Sequence, residues 1–216
     1  MSISEMWRTN AVTLFLMICL NLGLFSLDNR LAWLVLGLLI LAGGLYLTFR
    51  QGMAYGHEAC GLLESVKRAE DPDSPAHGQL DEKVIRRAWS VRTGVRAVLV
   101  CALPAYLIGC AYIICSLLNV EALVMPLRLI SWILAAPYWP CVLAWTYTFD
   151  RLTGTVAAVL MISPFILPAA GFAGYMQGPK LWARSEKAMA EGKRRAKAKS
   201  RVVRKKRVPR AQKPEI

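Results

Sequence analysis

Five long stretches without a charged side chain dominate the 216-residue chain. Each holds 17 to 22 residues, close to the roughly 20 that a helix needs to cross about 30 Å of hydrocarbon. The chain is 56% apolar and 19% charged, against about 45–50% and about 25% in soluble domains. The sequence therefore predicts an all-α, polytopic membrane helix bundle and excludes a soluble globule. The stretches are Ala11–Leu27, Leu31–Phe49, Ala97–Leu118, Leu129–Phe149 and Thr155–Met176.

The polar segments between these stretches divide the chain into four predicted parts. Residues 1–49 form an N-terminal transmembrane hairpin, and residues 97–176 form the C-terminal transmembrane helices. Residues 50–96 form a loop of two helices around a break at Asp71–Pro75, where two prolines interrupt any helix. Residues 177–216 form a basic tail.

Prolines at membrane depth mark the last two stretches. Pro164 and Pro168 lie in the middle of the fifth stretch, which is either a kinked crossing or a re-entrant segment beside four full crossings. In the fourth stretch, two prolines flank Tyr138 and Trp139. They make either a kink repaired by neighbouring helices or an unwound segment that lines a cavity, as in transporters. The candidate path-lining residues are Pro137, Tyr138, Pro140, Ser163, Pro164 and Pro168.

The distribution of basic residues predicts the orientation. Lysine and arginine near membrane ends prefer the cytoplasm. Five simple crossings divide the countable basic residues 8 against 10, whereas a fifth stretch that enters and leaves on one face divides them 16 against 2. The second arrangement places Arg50–Arg96 and Gln177–Ile216 together on the cytoplasmic face of a plasma membrane.

The tail carries nearly all of the net charge. Its fifteen basic and three acidic residues give +12 of the total +13. A block of like charge is expected to be disordered or only conditionally helical, and Trp182 before it is a candidate membrane anchor. The predicted partners are membrane lipid, anionic headgroups, RNA or the ribosome, or a membrane protein, without specific DNA recognition, because stacking aromatics are absent beyond Trp182. The candidate contact residues are Lys193, Arg194, Arg195, Lys197, Lys199, Arg201, Arg204, Lys205, Lys206 and Arg207.

No residue pattern indicates catalysis or a cofactor. The apolar stretches contain no ionisable carboxylate, histidine, lysine or arginine, although proton and ion pathways usually contain such groups. His57, Cys60 and His77 are three conceivable zinc ligands, but they lack the repeated spacing of a zinc motif. The sequence therefore predicts no catalytic residue, no metal site and no cofactor.

The Pro-broken fifth stretch, the run Gly174–Trp182 and the ending Gln212–Ile216 resemble those of a family of small, uncharacterised multi-span bacterial membrane proteins. The resemblance implies a bacterial plasma membrane and brings no activity, cofactor or catalytic residue with it.

Two function classes follow from these features. The first is a non-catalytic membrane protein whose cytoplasmic loop and polybasic tail contact an anionic lipid, RNA or a protein. The second is a small transporter or channel-like subunit whose Pro-broken helices line a path. A membrane-embedded enzyme is the least favoured class, since no set of catalytic groups accompanies the helices.

Overall fold

The structure, a computed structural model, describes residues 3–24, 29–73, 82–138 and 154–207. All regular elements in these ranges are helical, and Ala136–Tyr138 forms a short 3-10 turn. The α-helices are α1 (Ile3–Leu24), α2 (Arg30–Glu70), α3 (Glu82–Arg87), α4 (Val91–Leu117), α5 (Glu121–Ala135), α6 (Gly154–Met176) and α7 (Gly178–Arg207).

The described residues contain four helical segments long and apolar enough to cross a membrane, which is consistent with the predicted multi-span helix bundle. They are Glu5–Leu24, Leu31–Glu70, Val91–Leu117 and Val156–Lys197. Large apolar side chains such as Val12, Leu39 and Ile162 are exposed on the outside of the bundle. That surface is the one that hydrocarbon covers in a membrane protein.

Helices α1 and α2 form an antiparallel hairpin. The side-chain hydroxyls of Thr9 and Tyr55 are 3.0 Å apart, whereas Met17 packs against Gly44, where an added Cβ would collide with its side chain. Residue numbers thus rise on one helix as they fall on the other. Gly44 is a close-packing point, as small residues in membrane helices often are.

Helix α6 and the start of α7 run parallel to α2. Gly52 packs against the backbone of Gly171, and Gly61 packs against the ring of Trp182. Residue numbers therefore rise in the same direction along α2 and along the α6–α7 pair. The C-terminal half of α2 and the first turns of α7 lie side by side at the same end of the bundle.

Helix α4 runs antiparallel to α6. Gly94 faces the Tyr175 ring near one end, and Gly109 faces the Leu160 carbonyl near the other. The turn before α4 is held by Tyr175, whose hydroxyl accepts a hydrogen bond from the Ser90 backbone N–H at 3.1 Å. The Ser90 side chain in turn caps the first turn of α4.

The fifth apolar stretch is one continuous helix. Helix α6 passes through Pro164 and Pro168 without reversing, and it belongs to a segment that is long and apolar enough to cross a membrane. Pro164 cannot donate to the Leu160 carbonyl, and that carbonyl lies against Gly109 of α4, where an added Cβ would be 3.3 Å away. A neighbouring helix thus covers the freed group, as the lipid interior requires.

The structure of residues 50–96 differs from the predicted loop of two helices in two details. Its first arm is not a separate helix, because α2 continues unbroken from Arg30 to Glu70 and ends just before Asp71 and Pro72. Its second arm is interrupted: α3 ends at Arg87, and α4 begins at Val91. Between them the Trp89 N–H donates to the Ala59 carbonyl of α2 at 3.0 Å, which fixes the interruption.

Candidate functional site

A cavity of about 320 Å³ lies among α1, α4, α5 and α6. Four of the six residues predicted to line a path lie in its wall: Tyr138, Ser163, Pro164 and Pro168. Pro137 is fully buried next to Tyr138 and does not line the cavity. Pro140 lies outside the described residues, as does the second half of the fourth apolar stretch.

The wall is mostly hydrocarbon, and none of its described residues is charged. Two of its polar atoms, Nδ2 of Asn10 and Oγ of Ser131, make no hydrogen bond of good geometry in the part of the chain that the structure describes; the Cys101 thiol beside Asn10 is a weak acceptor. Asn10 is 9% exposed and Ser131 is 3% exposed. Buried polar groups in native proteins nearly always have a partner. The cavity is therefore suited to an apolar ligand that offers an oxygen acceptor.

Several glycines form a seam between α2 and the α6–α7 pair. Gly52 contacts Gly171, Gly174 contacts Phe49, and Gly56 contacts Gly178, in each case backbone against backbone. A side chain at Gly52, Gly56, Gly174 or Gly178 would collide with main-chain atoms, so the helices approach this closely only because these four residues lack a Cβ. The sequence analysis missed the seam. Its signal is the four-residue spacing of Gly52 and Gly56, which matches a motif typical of packed membrane helices.

The polybasic tail continues as a helix through Arg207, so its described part adopts the helical one of the two predicted states. The first four candidate contact residues, Lys193, Arg194, Arg195 and Lys197, are exposed. The backbones of the other six belong to the same helix. They are Lys199, Arg201, Arg204, Lys205, Lys206 and Arg207.

Trp182 lies on α2. Its ring carbons would be 3.0 Å from a Cβ at Gly61, and its ring centroid is 5.1 Å from that of His57. The tryptophan therefore joins the start of α7 to α2, a contact that the sequence analysis missed. Its role as a membrane anchor stays a prediction.

The conceivable zinc ligands form no metal cluster within the described residues. Nε2 of His57 lies 3.1 Å from the Ser185 hydroxyl, and Cys60 is buried at the α2 surface. His77 lies outside the described residues. No group of three histidine, cysteine, aspartate or glutamate side chains that could hold a metal ion occurs within the described ranges.

The described residues thus form an all-helical protein with four segments long and apolar enough to span a membrane, a cavity among α1, α4, α5 and α6, and a basic helix that packs on α2. Comparison of the chain with protein-family models, curated proteins and solved structures gives no match. The resemblance to small multi-span bacterial membrane proteins therefore stays a prediction.

Proposed function

We propose that this chain is a plasma-membrane protein without catalytic activity that presents a polybasic helix to RNA. The observation that carries the proposal is the parallel pairing of α7 with α2 beyond the apolar part of the bundle. This pairing directs α7 away from the membrane.

The orientation follows from the direction of the helices. With α1, α2, α4 and α6 as crossings, fifteen basic residues close to the membrane fall on the face of Arg50–Arg96 and the tail, and three fall on the other face. Positive residues near membrane ends favour the cytoplasm. The tail and the loop thus lie on the cytoplasmic face, as the charge count from the sequence alone favours.

Distance argues against the chain's own bilayer as the partner. The apolar part of α2 ends at Phe49, and Gly56, about 10 Å further along the axis at 1.5 Å per residue, contacts Gly178. Lys193 lies another 22 Å or so along α7, about 30 Å beyond the hydrocarbon. The field of an anionic surface falls off over a Debye length of about 8 Å at physiological salt. The lipid contact predicted from the sequence therefore receives no support from this geometry.

The arrangement of the charges favours a phosphate backbone. At 100° per residue the ten basic positions between Lys193 and Arg207 surround the helix axis. A single acidic patch on a protein would be met by one face only, whereas phosphates of a folded RNA meet a helix from several sides. Aromatic side chains are absent after Trp182, so binding is independent of base sequence.

The test measures binding of the full-length chain, in nanodiscs of zwitterionic lipid, to a homopolymer RNA over a range of salt. The variant replaces Lys193, Arg194, Arg195 and Lys197 with glutamine. Each lost phosphate contact lowers the salt slope by about 0.7 for a single strand, so four should lower it by about 3. The matched control replaces Lys67, Arg68, Arg86 and Arg87 with glutamine and should leave the slope almost unchanged.

Two outcomes contradict the proposal. Equal loss of binding in both variants would show that only net charge matters. Binding of the tail to anionic liposomes, with none to RNA, would assign the helix to a lipid surface instead.

The transporter or channel-like alternative has one observation in its favour. Four of the six residues predicted to line a path share the wall of one cavity. A single cysteine in place of Ser163, in a chain without its native cysteines, tests it. Labelling of that cysteine in intact membranes by a small water-soluble thiol reagent supports a path, and protection of it argues for a cavity closed to water.

A further inference from the structure

We propose that the intramembrane cavity binds one acyl chain of a membrane phospholipid, with its ester carbonyl accepting a hydrogen bond from Asn10. The proposal concerns the cavity alone and does not depend on whether α7 binds RNA. The volume of about 320 Å³ lies at the lower end of the range of about 300–1,000 Å³ typical of small-molecule sites.

The buried amide of Asn10 indicates a missing acceptor. Its Nδ2 atom is buried and makes no hydrogen bond of good geometry to a described residue, and the Cys101 thiol beside it is only a weak acceptor. A second hydrogen-bonding atom, Oγ of Ser131, is in the same state in the same wall. Two such atoms facing one cavity indicate that an oxygen-bearing molecule completes it.

The position of the opening indicates where that molecule comes from. Phe15, Trp7 and Pro104 line the cavity and are also exposed on the outside of α1 and α4; Phe15 is 67% exposed and Trp7 is 53% exposed. Among the described residues, the cavity thus opens sideways, between α1 and α4, toward the side that hydrocarbon covers. Because the described wall has no charged residue, the part of the ligand inside it is neutral and apolar.

The depth of Asn10 in the membrane matches the depth of the ester groups of a phospholipid. Asn10 also lines a small gap with Gln51 and Gly52 of α2. These two residues follow Arg50, the first charged residue after the apolar stretch Leu31–Phe49. This is the level at which hydrocarbon gives way to headgroups. From Asn10 the wall continues along α1 to Ile18, about 12 Å deeper along the helix axis. An oxygen acceptor at the interface followed by an apolar chain is the chemistry of a glycerophospholipid.

The test is native mass spectrometry of the full-length chain, purified in mild detergent and supplied with a synthetic phosphatidylglycerol of defined mass. We expect one lipid retained per chain. Asn10→Leu keeps the size of the side chain and removes the donor, so retention should fall about fivefold, the equivalent of one hydrogen bond of about 1 kcal/mol. Ala105→Phe fills the cavity and should abolish retention.

The matched control is Asn21→Leu. Asn21 is a buried asparagine of the same helix, and it does not line the cavity. Thermal unfolding of each variant identifies any that has lost its fold, and if Asn10→Leu does so, Ala105→Phe still decides. Undiminished retention in both cavity variants, or a bound mass that belongs to detergent alone, would overturn the proposal.

Discussion

The glycine seam makes a sharp prediction about Gly56. A Cβ added there would collide with the Tyr175 carbonyl and would lie 3.0 Å from Cα of Gly178. Both are main-chain atoms of the opposite helices, so neither can rotate away as a side chain does. Gly56→Ala must therefore push α7 and the end of α6 away from α2.

The magnitude can be worked out against Gly43 of the same helix, which has no atom within 4 Å of its added Cβ. Gly43→Ala should stabilise the protein by about 0.5–1 kcal/mol, because alanine loses less conformational entropy in a helix. Gly56→Ala gains the same amount but adds overpacking, which costs about 1–3 kcal/mol. Rigid backbone on both sides favours the upper end, so the two variants should differ by about 2–3 kcal/mol.

The assay is reversible unfolding in mixed micelles, followed by tryptophan fluorescence, on wild type and both variants. Gly44→Ala provides an intermediate case, because its Cβ would meet only the flexible side chain of Met17. The expected order of stability is Gly43→Ala, then Gly44→Ala, then Gly56→Ala. Equal stability of the first and the last would refute the close packing of α2 on α7.

Three further predictions concern topology and the ends of the helices. Single cysteines at Ser74 and Ser200, in a chain without the native six, should both resist an impermeant thiol reagent on intact cells, and labelling of either would separate the loop from the tail. Tyr175→Phe removes the hydroxyl that binds the turn before α4, so unfolding should cost about 1 kcal/mol less, whereas the exposed Tyr46→Phe should change nothing. Trp182→Ala removes the contact between α7 and α2, so trypsin should cut the first turns of α7 faster than in wild type; an unchanged rate would mean that the tryptophan does not hold α7.

The sequence predicts the membrane helices well because length and hydropathy determine insertion directly. Leu31–Phe49 lies within α2, and Ala97–Leu118 lies within α4 except for its last residue, the C-cap Leu118. Hydrocarbon leaves a backbone few alternatives to a helix. The ends of the helices are less predictable. Helix α2 continues to Glu70 because its polar half pairs with α7, and no local pattern announces a partner more than a hundred residues away.

The two prolines of α6 show the same limit. Proline removes one hydrogen bond, and the sequence alone cannot say whether a neighbouring helix covers the carbonyl it frees. Gly109 provides that cover by letting α4 approach Leu160. The cavity follows a similar rule: proline and serine were recognisable as lining candidates, but Asn10, close to the N-terminus, joins them only through the packing of α1 against α4.

The continuity of α6 and α7 has a mechanical consequence. Only Gln177 separates the two helices, and hydrogen bonds from Gln177 to Gly174 and from Leu181 to Gln177 continue the ladder across the junction. Together the two helices extend over about 80 Å. Near the α6 end of this length, Ser163, Pro164 and Pro168 line the cavity. A force or torque applied to the tail is therefore transmitted through α7 to α6, the helix that lines the cavity, while both helices stay packed against α2. A partner that binds the tail and exerts a force on it therefore also acts on the cavity wall formed by α6.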